Sequence, residues 1–166
     1  MAEIYSLHGE RLSPLDRVER LANAREWFVD RAGDDEVNMI VAAQWGDLTV
    51  SLNWRDDVES LHIACSFDVR VPGGRREEIG RLVTMLNEQL YFGHFDLWRH
   101  DGTIMFRNSL ILTGGAGAND PQCETLIRLA IEACERYFPT FQFVIWAGKS
   151  AEQALEASLL ETVGEA

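Results

Sequence analysis

The sequence has almost no lysine, and it has no apolar run long enough for a membrane helix. Lys149 is the one lysine among 15 basic residues, which face 27 acidic residues, and the net charge is −12. A strongly anionic chain repels phosphate groups, so we expect it to bind neither nucleic acid nor an anionic membrane surface. No apolar stretch approaches the ~18 residues of a transmembrane helix. Residues 1–14 also lack the basic and apolar regions of a secretory signal.

Cysteine is scarce too. Cys65, Cys123 and Cys134 are odd in number and widely spaced. This pattern fits buried, reduced thiols in a cytoplasmic protein and not a disulfide framework. No two cysteines have the spacing of a zinc site. We therefore expect a cytoplasmic protein whose cysteines are structural.

Catalytic motifs are also absent. The glycine-rich stretch at 114–118 fits neither the P-loop nor the dinucleotide fingerprint, and it is better explained as a flexible connection. The four histidines form no pair with metal-ligand spacing, so no metal site is predicted. Ser66, His62 or His94, and Asp68 could in principle form a hydrolase triad, but no nucleophile elbow accompanies them. We expect no enzyme activity, no metal and no cofactor.

The residues that are present specify a fold. The chain has 166 residues, 46% of them hydrophobic, which is enough for one domain with a buried core. Residues 1–12 show no periodicity, and we expect a mobile arm there. Residues 13–166 show the order α-β-β-β-α-β-β-α. This order predicts one α+β domain, in which a five-stranded, mostly antiparallel sheet has its helices packed on one face.

The first helix has a clear start. Ser13 is a suitable N-cap, Pro14 fits the first helical position and Asp16 adds an acid to the first turn. Apolar residues then recur at helical spacing as far as Val29. We expect this helix to end at Gly33.

Three strands follow, at residues 37–45, 48–55 and 61–70. The second and third alternate apolar and polar side chains, which is typical of strands with one buried and one wet face. Turn signals at Gly46–Asp47 and Asp56–Asp57 separate them. The three strands most simply form an antiparallel meander.

The second half repeats the helix-then-strands arrangement. Acidic residues at 77–78 suit the first turn of a helix that continues to Gly93. Strands are predicted at 94–99 and 103–112, followed by a long helix that begins at Asp120. Helical spacing then continues to Tyr137.

Proline interrupts this last region. Pro139 must kink or restart the helix. Residues 141–146 are ambiguous between helix and strand, and we favour a restarted helix. Ser150 and Gln153 have capping-box spacing for a final short helix.

Polar residues on the outward phases of the strands form a candidate surface. They are His62, Asp68, Arg70, His94, Asp96, Trp98 and Arg107. One interpretation is a solvated face with cross-strand ion pairs. The other is a binding or catalytic face, used by a small-molecule sensor or an enzyme around His94, Asp96 and Arg107.

Apolar residues form a second candidate surface. Met85, Tyr91 and Phe92 widen the apolar arc of the second helix beyond one narrow face. This excess predicts a homodimer contact. Part of the aromatic cluster at 137–146 is also more than one helix face can bury, so we expect it to meet another chain.

Several segments resemble a known family. They are Cys65–Pro72, Asn87–Asp96, Tyr137–Pro139 and Trp146–Gly148. In these segments, and over roughly residues 15–165, the chain resembles the YbjN-type family of bacterial sensory transduction regulators. The motifs describe the family and no particular chemistry.

The resemblance implies a fold like that of type III secretion chaperones, which are small, acidic α+β homodimers that hold segments of other proteins. It carries over no active-site residue. The expected function is therefore a non-enzymatic protein-binding module, chaperone-like or regulatory, that acts as a cytoplasmic dimer. The predicted partners are a second copy of the chain and another protein or peptide segment. The predicted partner-binding residues are Met85, Tyr91, Phe92, His94, Asp96, Trp98 and Arg107.

Overall fold

The computed structural model describes residues 13–164, which form four α-helices and six β-strands. The predicted arm at residues 1–12 lies outside this range. In chain order the elements are α1 (Pro14–Ala24), β1 (Phe28–Arg31), β2 (Glu36–Ala43), β3 (Gly46–Arg55), β4 (Ser60–Arg70), α2 (Arg76–Asn87), β5 (His94–Trp98), β6 (Thr103–Ile111), α3 (Asp120–Ile145) and α4 (Ala151–Gly164). This is the predicted order with one additional strand.

The strands form a single antiparallel sheet in the order β1-β2-β3-β4-β6-β5. Helix α1 packs on β1, β2 and β3, while α3 packs on β4 and β6 and α2 packs beside β5. One row across the helix-covered face is Val29, Met39, Val50, Cys65, Phe106 and Phe95. The adjacent row on the other face is Asp30, Asn38, Ser51, Ala64, Arg107 and His94. The alternation predicted from the sequence therefore separates an apolar inner face from a polar, open outer face.

The core between the sheet and α3 is aromatic at the β5–β6 end. Phe95 lies with its ring 5.5 Å from that of Phe106 and 5.2 Å from that of Phe141, in edge-on arrangements. All three side chains are at most 1% exposed. Burying a side chain of this size stabilises the fold by roughly 1.5–3 kcal/mol. This core holds β5 and β6 firmly against α3.

The sheet has six strands, and the prediction of five is corrected. The first helix was expected to include Val29 and end at Gly33, but it ends at Ala24. The backbone N–H groups of Arg25 and Trp27 both donate to the carbonyl of Ala22. Glu26 then adopts a φ of 58°, a left-handed conformation that a right-handed helix cannot include. The residues that follow extend and pair with β2 as strand β1.

The second helix also ends earlier than expected, at Asn87 instead of Gly93. The Asn87 side chain makes two hydrogen bonds with the backbone of Phe95. Its amide donates to the Phe95 carbonyl at 3.0 Å, and its oxygen accepts from the Phe95 N–H at 2.7 Å. The side chain thus satisfies the backbone N–H and C=O of Phe95 on the edge of β5 that faces away from β6. Residues 88–93 form the turn that connects α2 to β5.

Pro139 does not restart the last long helix, because α3 runs without a break from Asp120 to Ile145. The proline lacks an N–H, so the carbonyl of Glu135 loses its donor inside the helix. The indole N–H of Trp45 donates to that carbonyl at 3.0 Å. A residue of the β2–β3 turn therefore supplies the hydrogen bond that the proline cannot make. The predicted preference for helix over strand at 141–146 is confirmed up to Ile145.

Candidate protein-binding surface

Three polar side chains meet on the open face of the sheet. Arg107 on β6 lies between His62 on β4 and Asp96 on β5. Its Nε–H donates to His62 Nε2 at 3.3 Å, and its Nη1 donates to Asp96 Oδ2 at 3.2 Å. His94 pairs with Arg107 across the strands and is exposed. The structure therefore brings together four of the predicted polar residues.

The electrostatics of this cluster favour a neutral imidazole. Burial lowers the pKa of His62, and the nearby charges of Arg107 and, to a smaller extent, His94 lower it further. A neutral His62 can accept the Arg107 N–H. The arginine charge is offset by the carboxylate of Asp96. The cluster thus resembles the cross-strand ion pairs of a solvated face.

Arg70 and Trp98 lie towards one end of the same face, where each is opposite Thr103. Arg70 contacts the Asp101 carboxylate at 2.9 Å and the Thr103 hydroxyl. The backbone N–H of Thr103 is the largest of the interactions that lower the pKa of Asp101 to about 2. Trp98 is 42% exposed. Asp68 lies where the β4–β6 register is irregular, so the alternation of side chains along β4 does not assign it to a face of the sheet.

The apolar surface is narrower than predicted. Tyr91 is 91% exposed and Phe92 is 56% exposed, and their rings meet edge-on at 4.9 Å. Both lie in the turn between α2 and β5. Met85, by contrast, is half-buried and packs against the core. The exposed part of the predicted set is therefore the Tyr91–Phe92 pair.

Two grooves flank this pair, and the sequence predicted neither. The larger, of about 550 Å³, is lined by Tyr91, Phe92, Tyr137 and the charged side chains of Glu132 and Arg136, among others. The second, of about 420 Å³, lies between the end of β6 and the first turns of α3. We call it the α3 groove, and its apolar walls are Phe92, Leu110, Leu126 and Leu129. Phe92 and Leu129 line both grooves, so the two grooves are neighbours along α3.

A third cavity, of about 290 Å³, lies under the β2–β3 turn. Trp45, Phe67 and Phe138 line it, and Asp47 and Glu135 stand among its polar residues. A further groove of about 810 Å³ between α2 and β5 has a strongly charged lining, Asp96 included. None of these four cavities is lined by His94 or Arg107. Asp96 is thus the member of the polar cluster that borders one of these four cavities.

The predicted aromatic cluster at 137–146 divides between core and surface. Tyr137, Phe138 and Phe141 are buried, whereas Trp146 is 64% exposed. Within residues 13–164, no three acidic, histidine or cysteine side chains are placed to hold a metal ion. In the same range, no helix has both the length and the apolar character to cross a membrane.

Comparison with known proteins agrees with this architecture. The model of a family described as "Putative bacterial sensory transduction regulator" matches residues 14–143. The chain belongs to the YbjN family. Among solved structures, this YbjN protein is similar to a chain of the crystal structure of the ExsC–ExsE complex, with a TM-score of 0.54 and 15% identity over 73% of this chain and 87% of that chain. No curated protein matches it in sequence.

The structural likeness shows the fold of this YbjN protein. The expected α+β class, of the type III secretion chaperone kind, is confirmed, apart from the number of strands. The family match covers most of the residues that carried the predicted resemblance.

Proposed function

We propose that this YbjN-family protein is a non-enzymatic protein-binding module, chaperone-like or regulatory, that acts as a cytoplasmic homodimer. The observation that carries the proposal is the Tyr91–Phe92 pair. Two large aromatic side chains stand next to each other in a short turn, exposed by 91% and 56%, with grooves on both sides. Aromatic residues of this kind are typical centres of protein–protein contacts.

The comparisons support the same conclusion. The solved neighbour is named as a complex of ExsC with ExsE, and the YbjN family is described as regulatory. A binding role fits a chain whose polar cluster is internally paired. The net charge of −12 favours partners that carry positive charge.

Light scattering on the purified full-length chain tests the dimer. The matched variants are Tyr91→Ser with Phe92→Ser, and Phe28→Ser, which removes another exposed aromatic ring, 66% exposed on β1. We expect the wild type and the Phe28 variant to dimerise and the double variant to dissociate at the same concentration. A strict monomer at high concentration would contradict the dimer. Met85 is a poor test position, because its side chain packs against the core.

Affinity capture from the native cytoplasm, followed by mass spectrometry, tests the binding role. We expect proteins to be captured by the wild type and lost from the Tyr91–Phe92 double variant. Capture of a small molecule alone would contradict the proposal.

The second candidate is a small-molecule sensor or enzyme that uses the polar face around His94, Asp96 and Arg107. The observation that favours it is the meeting of Arg107 with His62 and Asp96. Alanine substitution of both His94 and Asp96 tests it. Partner capture that is unchanged in this variant leaves the face as solvated surface, whereas loss of a bound small molecule supports the second candidate.

A further inference from the structure

Within residues 13–164, one part of the sheet edge has no strand beside it. Strand β6 continues to Ile111, but β5 pairs with it only as far as the His94–Arg107 pair. Residues 88–93, which precede β5, do not pair with β6 as a strand. Residues Asn108–Ile111 therefore pair with β4 on one side and, among the described residues, have no neighbouring strand on the other.

The backbone groups on that free side can be identified. The N–H of Leu112 donates to the Glu59 carbonyl, on the side of β4. Because N–H and C=O groups of an antiparallel strand alternate in direction, those of Ser109 and Ile111 point the opposite way, to the free edge. The Ser109 N–H donates to the Oδ1 of its own neighbour Asn108, at 2.8 Å. The Asn108 side chain thus accepts the hydrogen bond that the carbonyl of a neighbouring strand would otherwise accept.

The two outermost strands, β5 and β1, have protected edges. On β5, the Asn87 side chain is hydrogen-bonded to the N–H and C=O of Phe95. Just after β5, the Arg76 guanidinium donates to the Arg99 carbonyl. Strand β1 is only four residues long and includes two charged residues, Asp30 and Arg31. Short edges, charges and side-chain covers are the usual devices against unwanted pairing. The segment Asn108–Ile111 has no charge and no proline, and Ile111 is 73% exposed.

The α3 groove lies directly beside this free edge. The side chains of Asn108 and Leu110 point to the helix-covered face and line the groove with Phe92, Leu126 and Leu129. A strand added next to β6 would place every second side chain over this groove. Its apolar walls suit apolar side chains at those positions.

Charge indicates what else the added strand would carry. Two acidic side chains close to the α3 groove are already paired: Glu132 contacts Arg128 at 3.0 Å, and Asp120 is held by Arg17 and Arg20. With a net charge of −12, the molecule attracts basic segments and repels acidic ones.

We propose that the edge of β6 at Asn108–Ile111 binds an extended, basic peptide segment by β-strand addition, with its alternate apolar side chains in the α3 groove. The free backbone groups supply the hydrogen bonds, and the groove supplies the preference for side chains. This inference rests on the proposed protein-binding function and names the class of its partner.

Nitrogen-15 NMR of the full-length chain tests it. The probe is a capped peptide of about seven residues that alternates valine with lysine, long enough to span ~23 Å as a strand. We expect the amide signals of Ser109, Ile111 and Leu129 to shift. Two control peptides should cause no such shift: one alternates valine with glutamate, and one carries N-methyl groups on its central amides.

Two pairs of variants sharpen the test. Ile111→Pro removes an edge N–H that does not pair with β4, while Ile111→Val keeps it. Thr125→Arg places a cation in the α3 groove, while Thr49→Arg makes the same change at an exposed position on the opposite face of the sheet. We expect the first member of each pair to weaken binding about fivefold or more and the second to leave it unchanged. Circular dichroism verifies that each variant is folded.

The outcomes separate this inference from the proposed function. No binding of the valine–lysine peptide, shifts confined to another surface, or unchanged affinity in folded Ile111→Pro would overturn the inference. Partner capture would still stand in that case. If Ile111→Pro instead abolishes the dimer, the edge binds a second copy of the chain, and the peptide assignment is wrong.

Discussion

Gly93 is a position where a single added methyl group should strongly destabilise the fold. It has a φ of +68°, in the left-handed region that other residues rarely adopt. A Cβ at this position would lie 2.7 Å from the carbonyl oxygen of Arg107 and 2.9 Å from Cε1 of Phe106. Gly93 therefore lets the chain approach β6 closely just where β5 begins.

The cost of Gly93→Ala follows from these two effects. The left-handed conformation of a residue with a Cβ costs roughly 1–2 kcal/mol. Crowding in a packed core costs roughly 1–3 kcal/mol more. The Arg107 oxygen belongs to the backbone of a paired strand, and the Phe106 ring is packed against Phe95, so neither can easily move away. We expect the free energy of unfolding to fall by about 2–5 kcal/mol.

Urea denaturation measures this change, and a thermal melt should show the midpoint falling by about 5–15 °C for a chain of this size. The matched control is Gly80→Ala, within α2, where no atom lies within 4 Å of the added Cβ. It should stabilise the protein by about 0.5–1 kcal/mol, because alanine favours a helix over glycine. A Gly93→Ala protein within about 0.5 kcal/mol of the wild type would refute the reasoning.

Three further predictions follow from buried or paired groups. Cys123→Ser should cost about 1–3 kcal/mol in urea denaturation without loss of partner capture, because it buries a hydroxyl where burial raises the pKa of the thiol to about 11. Because the pKa of His62 is lowered in the fold, stability should be constant above about pH 6.5 and decrease as the pH falls below it; His62→Gln should flatten this dependence in urea midpoints. Trp45→Phe should cost about 1 kcal/mol by removing a donor from the Glu135 carbonyl, and a double-mutant cycle should show a smaller cost in the Pro139→Ala background, where the helix supplies its own N–H.

The regular parts of the fold could be predicted because each carries its signal locally. The alternation in β3 and β4 assigns Leu52 and Ile63 to the buried face and His62 to the outer face, and the register agrees. The first helix has a capping box at Ser13 and Asp16, which also depends on near neighbours alone. Such signals do not require knowledge of the rest of the chain.

The errors occurred where a distant group decides the outcome. Asn87 ends α2 by bonding to the backbone of Phe95, which is not visible as a cap in the sequence. Pro139 is tolerated because Trp45 supplies the missing donor from another part of the chain. Strand β1 was included in the helix because Val29 matched the helical spacing, while the left-handed turn at Glu26 carries no glycine to mark it. The first two cases are tertiary contacts that override a local pattern, and the third is a left-handed residue that lacks the usual glycine.

The candidate site shows the same limit. The excess of apolar residues at Tyr91 and Phe92 was visible in the sequence, and the structure confirms that both side chains are exposed. The α3 groove was not visible, because Leu126 and Leu129 look like ordinary residues of an amphipathic helix. The free edge was hidden as well, since it depends on β5 being shorter than β6 and on where Gly93 turns the chain.

The polar face and the free edge differ in what a ligand would gain there. On the polar face, Arg107 already contacts Asp96 and His62, so a ligand must replace interactions that exist. At the free edge, the backbone groups of Ile111 point away from β4, and Ser109 relies on a bond to its neighbour Asn108. An added strand gains hydrogen bonds there and covers the apolar groove in the same step. We therefore expect the end of β6 at Asn108–Ile111, rather than the polar cluster, to be the more favourable binding surface.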